Sequence, residues 1–248
     1  MARKPRKKSE SQTYHVILRG NNKQNIFFND ADRLFMLNRI KKYAEQTEIE
    51  LYAFCLMDNH IHLLLGKANP NLSKFVQKLA TSYAMYFNRK YEHSGHLFQG
   101  RFKSEPVDSD EYFITVFRYI LQNPCKANIC DVFQYKWSSI HLLFNKSEEL
   151  PLNREYVISF FQNEVALKKY LQANTSDVCM EYENVPKISD SFCINMIKEK
   201  FRIDYPAQIK TYNNADLQKA LQYLKKYGIN VTQISRITGI SRQIVASA

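Results

Sequence analysis

The chain has 248 residues, with 35 lysines and arginines against 24 aspartates and glutamates and a formal net charge of +11. Apolar residues make up 45% and charged residues 24%, the balance of a globular protein with a proper core, and the length suits one large domain or two small ones. No apolar run reaches the roughly 18–20 residues of a membrane span, and the positive charge points to a polyanion as partner, nucleic acid first.

The N-terminus is a cluster of cations, Arg3, Lys4, Arg6, Lys7 and Lys8, with no apolar stretch behind it. It is therefore not a secretory signal, and reads equally as an arm for phosphates or a solubilising tail. Tyr14-His15-Val16-Ile17-Leu18 is a strand closed by the turn Gly20-Asn21-Asn22. Asp30 or Asp32 caps a helix with Leu34, Phe35, Leu37 and Ile40 on its apolar stripe. Ile49 to Met57 and His60 to Leu65 read as strands joined at Asp58-Asn59, a hairpin. A helix from about Leu72 spaces Phe75, Val76, Leu79, Tyr83, Tyr86 and Phe87 as a stripe suited to a core. A loop from Leu97 leads into a strand ending near Val107. Asp108 or Ser109 then caps a helix with Tyr112, Val116, Tyr119 and Ile120, which Pro124 stops.

This order predicts an α+β fold: a ferredoxin-like (RRM-like) antiparallel sheet with helices on one face. Residues 11–131 are expected to form that domain, 132–180 a mainly helical extension, 181–213 a linker around Pro186, and 214–248 a helix-turn-helix-like region. In the last, Asn214-Ala215-Asp216 leads one helix, Thr232 begins another that breaks at Gly239, and Ser241 caps a third. Arg242 and Gln243 would be its first side chains into a major groove, with a plain helical hairpin as the competing reading. The cysteines, Cys55, Cys125, Cys130, Cys179 and Cys193, show no C-x-x-C spacing, which favours a reduced, cytoplasmic protein without a structural zinc cluster.

The chemistry concentrates in Asn59-His60-Ile61-His62. Side chains alternate along a strand, so both imidazoles point to one face. Two such imidazoles are part of a metal site, or one buried and one surface histidine. On the last helix of the domain, Tyr119 and Asn123 stand four apart and share a face. Asn123 offers a carbonyl oxygen, and two imidazoles with one oxygen suit Mg²⁺ or Mn²⁺, with Zn²⁺ chemically open. Tyr119 would then be a nucleophile; Tyr112, on the same stripe, is an equal candidate by spacing alone.

Several segments together resemble the single-tyrosine HUH transposases, and within them the REP-associated tyrosine transposase branch. They are Tyr14 to Asn22, Leu56 to Leu65, Tyr86 to Tyr91, Gly95 to Ser104, Arg118 to Pro124 and Trp137-Ser138-Ser139, in the family's order over residues 11 to 173. The resemblance implies His60 and His62 as metal ligands with Asn123 as the third, Mg²⁺ or Mn²⁺ as cofactor, and Tyr119 as nucleophile. It implies cleavage of single-stranded or hairpin DNA through a 5′-phosphotyrosine, then strand transfer, with a homodimer as a candidate assembly. Arg101, Lys103 and Arg118 become candidates for phosphates, and Phe98 for base stacking. Two departures from the pattern are Asp58, where relatives commonly carry proline, and Gln122. A non-cleaving DNA-binding regulator and a hydrolytic metal-dependent nuclease are the alternatives.

Overall fold

The structure is a computed structural model that describes residues 6–145, 150–173, 179–180, 190–227, 229 and 231–248. Arg3 and Lys4 of the basic arm, and residues 181–189 of the expected linker with Pro186, lie outside the described residues. The chain divides into two compact units, residues 1–182 and 183–248.

In the first unit, the elements run β1 (Tyr14–Arg19), α1 (Asp30–Thr47), β2 (Glu50–Met57), β3 (His60–Gly66), α2 (Leu72–Lys90), β4 (Lys103–Pro106) and α3 (Asp110–Leu121). The strand order is β2-β3-β1-β4 and every pairing is antiparallel, the ferredoxin-like arrangement. Asn29, rather than Asp30 or Asp32, caps α1: its side chain accepts from the Asp32 amide while the Asp32 carboxylate accepts from the amides of Phe28 and Asn29. Ser109 caps α3 by accepting from the Tyr112 amide.

One face of the sheet carries Val16, Leu18, Phe54, Leu56, Ile61, Leu63 and Leu65 and packs on α1 and α2 through Met36, Ile40, Phe75, Val76, Leu79 and Tyr83. The other face is covered as well. Ala53, Cys55, Met57 and Leu64 meet Phe113, Val116, Phe117 and Ile120 of α3. Residues 132–180 close the same core, in part through α5 (Ile140–Phe144), α6 (Arg154–Ile158) and α7 (Glu164–Gln172), so in the described residues they belong to the domain rather than extending from it. Cover on both faces explains why Leu63, Leu64 and Leu65 are consecutive and each 0% exposed. Each such side chain contributes roughly 1.5–3 kcal/mol of burial.

The two departures from the family pattern have structural partners. The Asp58 carboxylate pairs with the Arg33 guanidinium, and its carbonyl accepts from the amides of Ile26 and Phe27 at 2.7 and 3.1 Å. Gln122, buried just past α3, donates its Nε2 to the carbonyls of Leu171 and Ala173 at 2.7 and 2.9 Å, which fastens the end of α7 to α3. Pro124 falls inside a further short helix, α4 (Asn123–Lys126), that follows α3 directly.

The second unit contains α8 (Asp190–Phe201), a short 3-10 segment (Pro206–Thr211), α9 (Asn214–Lys226), α10 (Val231–Thr238) and α11 (Arg242–Ser247). Cys193, Ile197 and Ile209 pack into one core with Leu221, Leu224, Ile234 and Val245. Residues 190–213, expected as part of a linker, instead contribute Cys193, Ile197 and Ile209 to this core. Gly239, with φ +69°, turns the chain between α10 and α11, a conformation that favours glycine. Ser241 caps α11 by accepting from the Ile244 amide, and Arg242 and Gln243 are exposed at its start.

Candidate active site

β1, β3 and β4 bring a row of polar side chains onto the face that α3 covers. The register sets Ile17 opposite both His62 and Lys103, and His15 opposite Glu105. Residues directly opposite share a face, so His15, His62, Lys103 and Glu105 all point toward α3. Arg19 faces His60 in the same way.

The two histidines of the motif share a face as expected, with ring centroids 4.9 Å apart and rings nearly perpendicular. Asn59 Oδ1 lies 2.6 Å from His60 Nδ1. A carbonyl oxygen only accepts, so His60 carries its proton on Nδ1 and its lone pair on Nε2. His62 Nδ1 lies 2.9 Å from His15 Nε2, and the two rings stack with centroids 5.2 Å apart. Burial pushes the pKa of both His15 and His62 below the usual imidazole range; for His62 the charges of His60, His15 and Lys126 act in the same direction. Behind His15, its Nδ1 is 3.9 Å from Glu105 Oε2 and has no hydrogen-bond partner. Glu105 is held below the usual carboxylate range, first by His15 and then, against its own burial, by Tyr112.

Tyr119 comes down from α3 onto this row. Its ring centroid is 5.8 Å from that of His62 and 5.9 Å from that of His15, both edge-on. The Lys126 ammonium lies 4.1 Å from the centroid of the Tyr119 ring. Tyr119 and His62 are each 2% exposed, while His60 and Asn123 are half-buried and Lys126 is exposed, so solvent reaches the cluster on that side. Tyr112, the other candidate by spacing, lies against Glu105, where burial first and then that carboxylate push its phenol pKa up.

Asn123 sits one turn past Tyr119, and its Nδ2 donates to the carbonyls of Tyr119 and Ile120 at 2.9 and 3.4 Å. That leaves Oδ1 as the end of the amide able to ligate. Among the described residues no three His, Cys, Asp or Glu side chains form a metal-ligating group.

The expected nucleic-acid contacts divide. Lys103 faces the site from β4, and Arg101 is exposed just before it. Arg118 is 9% exposed with its guanidinium 4.1 Å from the Tyr170 ring, a contact that packs α3 against α7. Phe98 is half-buried against the α1–α2 core, 6.2 Å from Tyr83 between ring centroids. Sequence reasoning missed His15, Arg19, Glu105 and Lys126. The alternation of β1 put His15 and Arg19 on one face, but which face became visible only with the pairing of β1 and β3.

Residues 8–123 match the family model described as "Transposase IS200 like", a segment that includes Tyr119 of α3 and ends at Asn123, the first residue of α4. The match spans a little under half of the 248 residues, and this segment is similar to the IS200-like transposases. A REP-associated tyrosine transposase solved with a REP hairpin bound shares the fold, with a TM-score of 0.52 at 13% identity over 73% of this chain and 96% of that one. A crystal structure from Deinococcus radiodurans R1, assigned as a transposase, aligns at 23% identity over 48% of this chain and 95% of that one, with a TM-score of 0.35. No curated protein matches the chain. Among the described residues no helix is long and apolar enough to cross a membrane.

Proposed function

We propose that the protein is a single-tyrosine DNA transposase that cleaves and rejoins single-stranded or hairpin DNA through a phosphotyrosine intermediate. The observation that carries this reading is the approach of Tyr119 to His62, 5.8 Å between ring centroids, inside a segment similar to the IS200-like transposases. The phenol oxygen of Tyr119 attacks the scissile phosphorus and gives up its proton. The P–O3′ bond breaks, the departing 3′ oxygen takes up a proton, and the 5′ end stays on Tyr119 as a phosphodiester. Attack by a second 3′-OH reverses these steps and frees the phenol.

A phenol with a pKa near ~10 is a weak nucleophile, so the site must favour its ionised form. Lys126, over the ring, would supply positive charge that favours the phenolate and an incoming phosphate. His60 and His62 would hold Mg²⁺ or Mn²⁺ with Asn123 Oδ1 as the third protein donor, a set that fits a divalent ion with open positions for phosphate oxygens. Bound there, the ion would neutralise charge on the non-bridging oxygens and align the phosphate. Lys103 and Arg101 would hold the flanking strand, and the net charge of +11 supports a phosphate-rich partner. α10 and α11 would act as a helix-turn-helix that offers Arg242 and Gln243 to duplex DNA. The odd count of five cysteines argues against a disulfide framework and supports a reducing, cytoplasmic setting.

The test is incubation of the full chain with labelled hairpin single-stranded DNA and Mn²⁺ or Mg²⁺, resolved on denaturing gels. A covalent adduct that Tyr119→Phe abolishes is expected. Cleavage without adduct would identify a hydrolytic nuclease, and binding without cleavage a regulator; either result overturns the reading.

A further inference from the structure

His15 is fully buried, two residues into β1, and no step above uses it. A buried neutral imidazole has one N–H and one lone pair, so its neighbours decide which nitrogen carries which. On the Nδ1 side stands the Glu105 carboxylate, an acceptor only, at 3.9 Å. Glu105 is itself fixed by donors, the Tyr112 hydroxyl and the Met180 amide. A lone pair on His15 Nδ1 would face that negative charge; an N–H would point at it. The carboxylate therefore selects the Nδ1–H form of His15. Its Nε2 is then an acceptor, 2.9 Å from His62 Nδ1, and that contact is satisfied only if His62 also carries its proton on Nδ1. His60 is held in the same tautomer by Asn59 Oδ1 at 2.6 Å.

We infer that Glu105 and His15 form a tautomer relay that sets His62 with its lone pair on Nε2, the form a divalent cation requires. His15 and Glu105 are positioning residues: they touch neither DNA nor the reacting atoms, and act through His62. The inference rests on the metal-dependent reading of the site, but the tautomers exist in the metal-free protein and are measured there.

The experiment is a two-bond ¹H–¹⁵N correlation spectrum of the metal-free full chain labelled at histidine, with Mn²⁺ affinity measured separately by electron paramagnetic resonance. His15 and His62 are expected as Nδ1–H tautomers. Glu105→Ala should release His15 from that form and bring His62 partly to Nε2–H. His15→Leu should weaken Mn²⁺ binding roughly 10–100-fold. His15→Gln places a carboxamide oxygen where Nε2 stood, and should keep the His62 tautomer and restore most of the affinity. A wild-type His62 found as Nε2–H would overturn the relay, as would Glu105→Ala with both tautomers unchanged. Nδ1–H tautomers that respond as stated, in a protein that fails to bind Mn²⁺, would support the relay and sink the metal reading instead.

Discussion

Lys126 places its ammonium 4.1 Å from the centroid of the Tyr119 ring, and it is the exposed member of a cluster whose phenol and second histidine are almost inaccessible. A cation in that position favours a developing phenolate and an incoming phosphate alike. Lys126→Gln is expected to slow adduct formation by on the order of 10–100-fold, and Lys126→Arg to recover part of the loss. Single-turnover rates on a labelled hairpin check this; an unchanged rate in Lys126→Gln would remove Lys126 from the mechanism.

Arg242 and Gln243 open α11 and are exposed. If α10 and α11 read a major groove, replacing either with alanine should cost about 1–3 kcal/mol of specific duplex binding. Fluorescence anisotropy against the element's own duplex flank reads this out. Equal affinity in both variants would favour the plain helical hairpin over the helix-turn-helix for this region.

Asp32 links α1 to α2 by accepting from Lys90 at 2.6 Å, Tyr91 at 2.7 Å and Tyr86 at 2.9 Å. Burial opposes its ionisation, yet the bonds from Lys90, Tyr91, the Phe28 amide and Tyr86 outweigh it and hold its pKa down to about 2. The folded value lies below the unfolded one, so this stability is present above about pH 4 and is lost as the pH falls toward 2. The contribution is about 2 kcal/mol. Urea titrations between pH 2 and 6 should show this acid-dependent loss in the wild type and its reduction in Asp32→Asn; parallel curves would contradict the linkage.

Gln122 gives both protons of its amide to carbonyls at the end of α7. Gln122→Leu keeps the bulk and orphans the Leu171 and Ala173 carbonyls, and should cost about 1–3 kcal/mol. Because α3 carries Tyr119 on the turn before Gln122, adduct formation should fall along with stability. Chemical denaturation and the gel assay test the two effects separately.

Much of this was legible in the chain, for reasons the structure makes plain. Period-two spacing fixed His60 and His62 on one face, and helical spacing stacked Asn123 on Tyr119. Cap chemistry placed α3 within one residue, but missed Asn29 because Asp30 and Asp32 offered equally good side chains nearby. The element order predicts helices on one face of the sheet, whereas Leu63, Leu64 and Leu65 are buried because both faces are covered. What stayed hidden depends on pairing between distant segments. His15 meets His62 only through the β1–β3 register, Arg118 finds Tyr170 only when α7 folds back, and the apolar side chains of residues 190–213 find their purpose only on meeting Leu221 and Leu224.

The central claim is that Tyr119, among 16 tyrosines, is the one that becomes bonded to DNA. The most direct measurement is mass spectrometry of the protein–DNA adduct after proteolysis and nuclease digestion. The account predicts a nucleotide phosphate on Tyr119 alone, attached through a 5′ phosphate. A modified Tyr112, or a modification spread over several tyrosines, would contradict it.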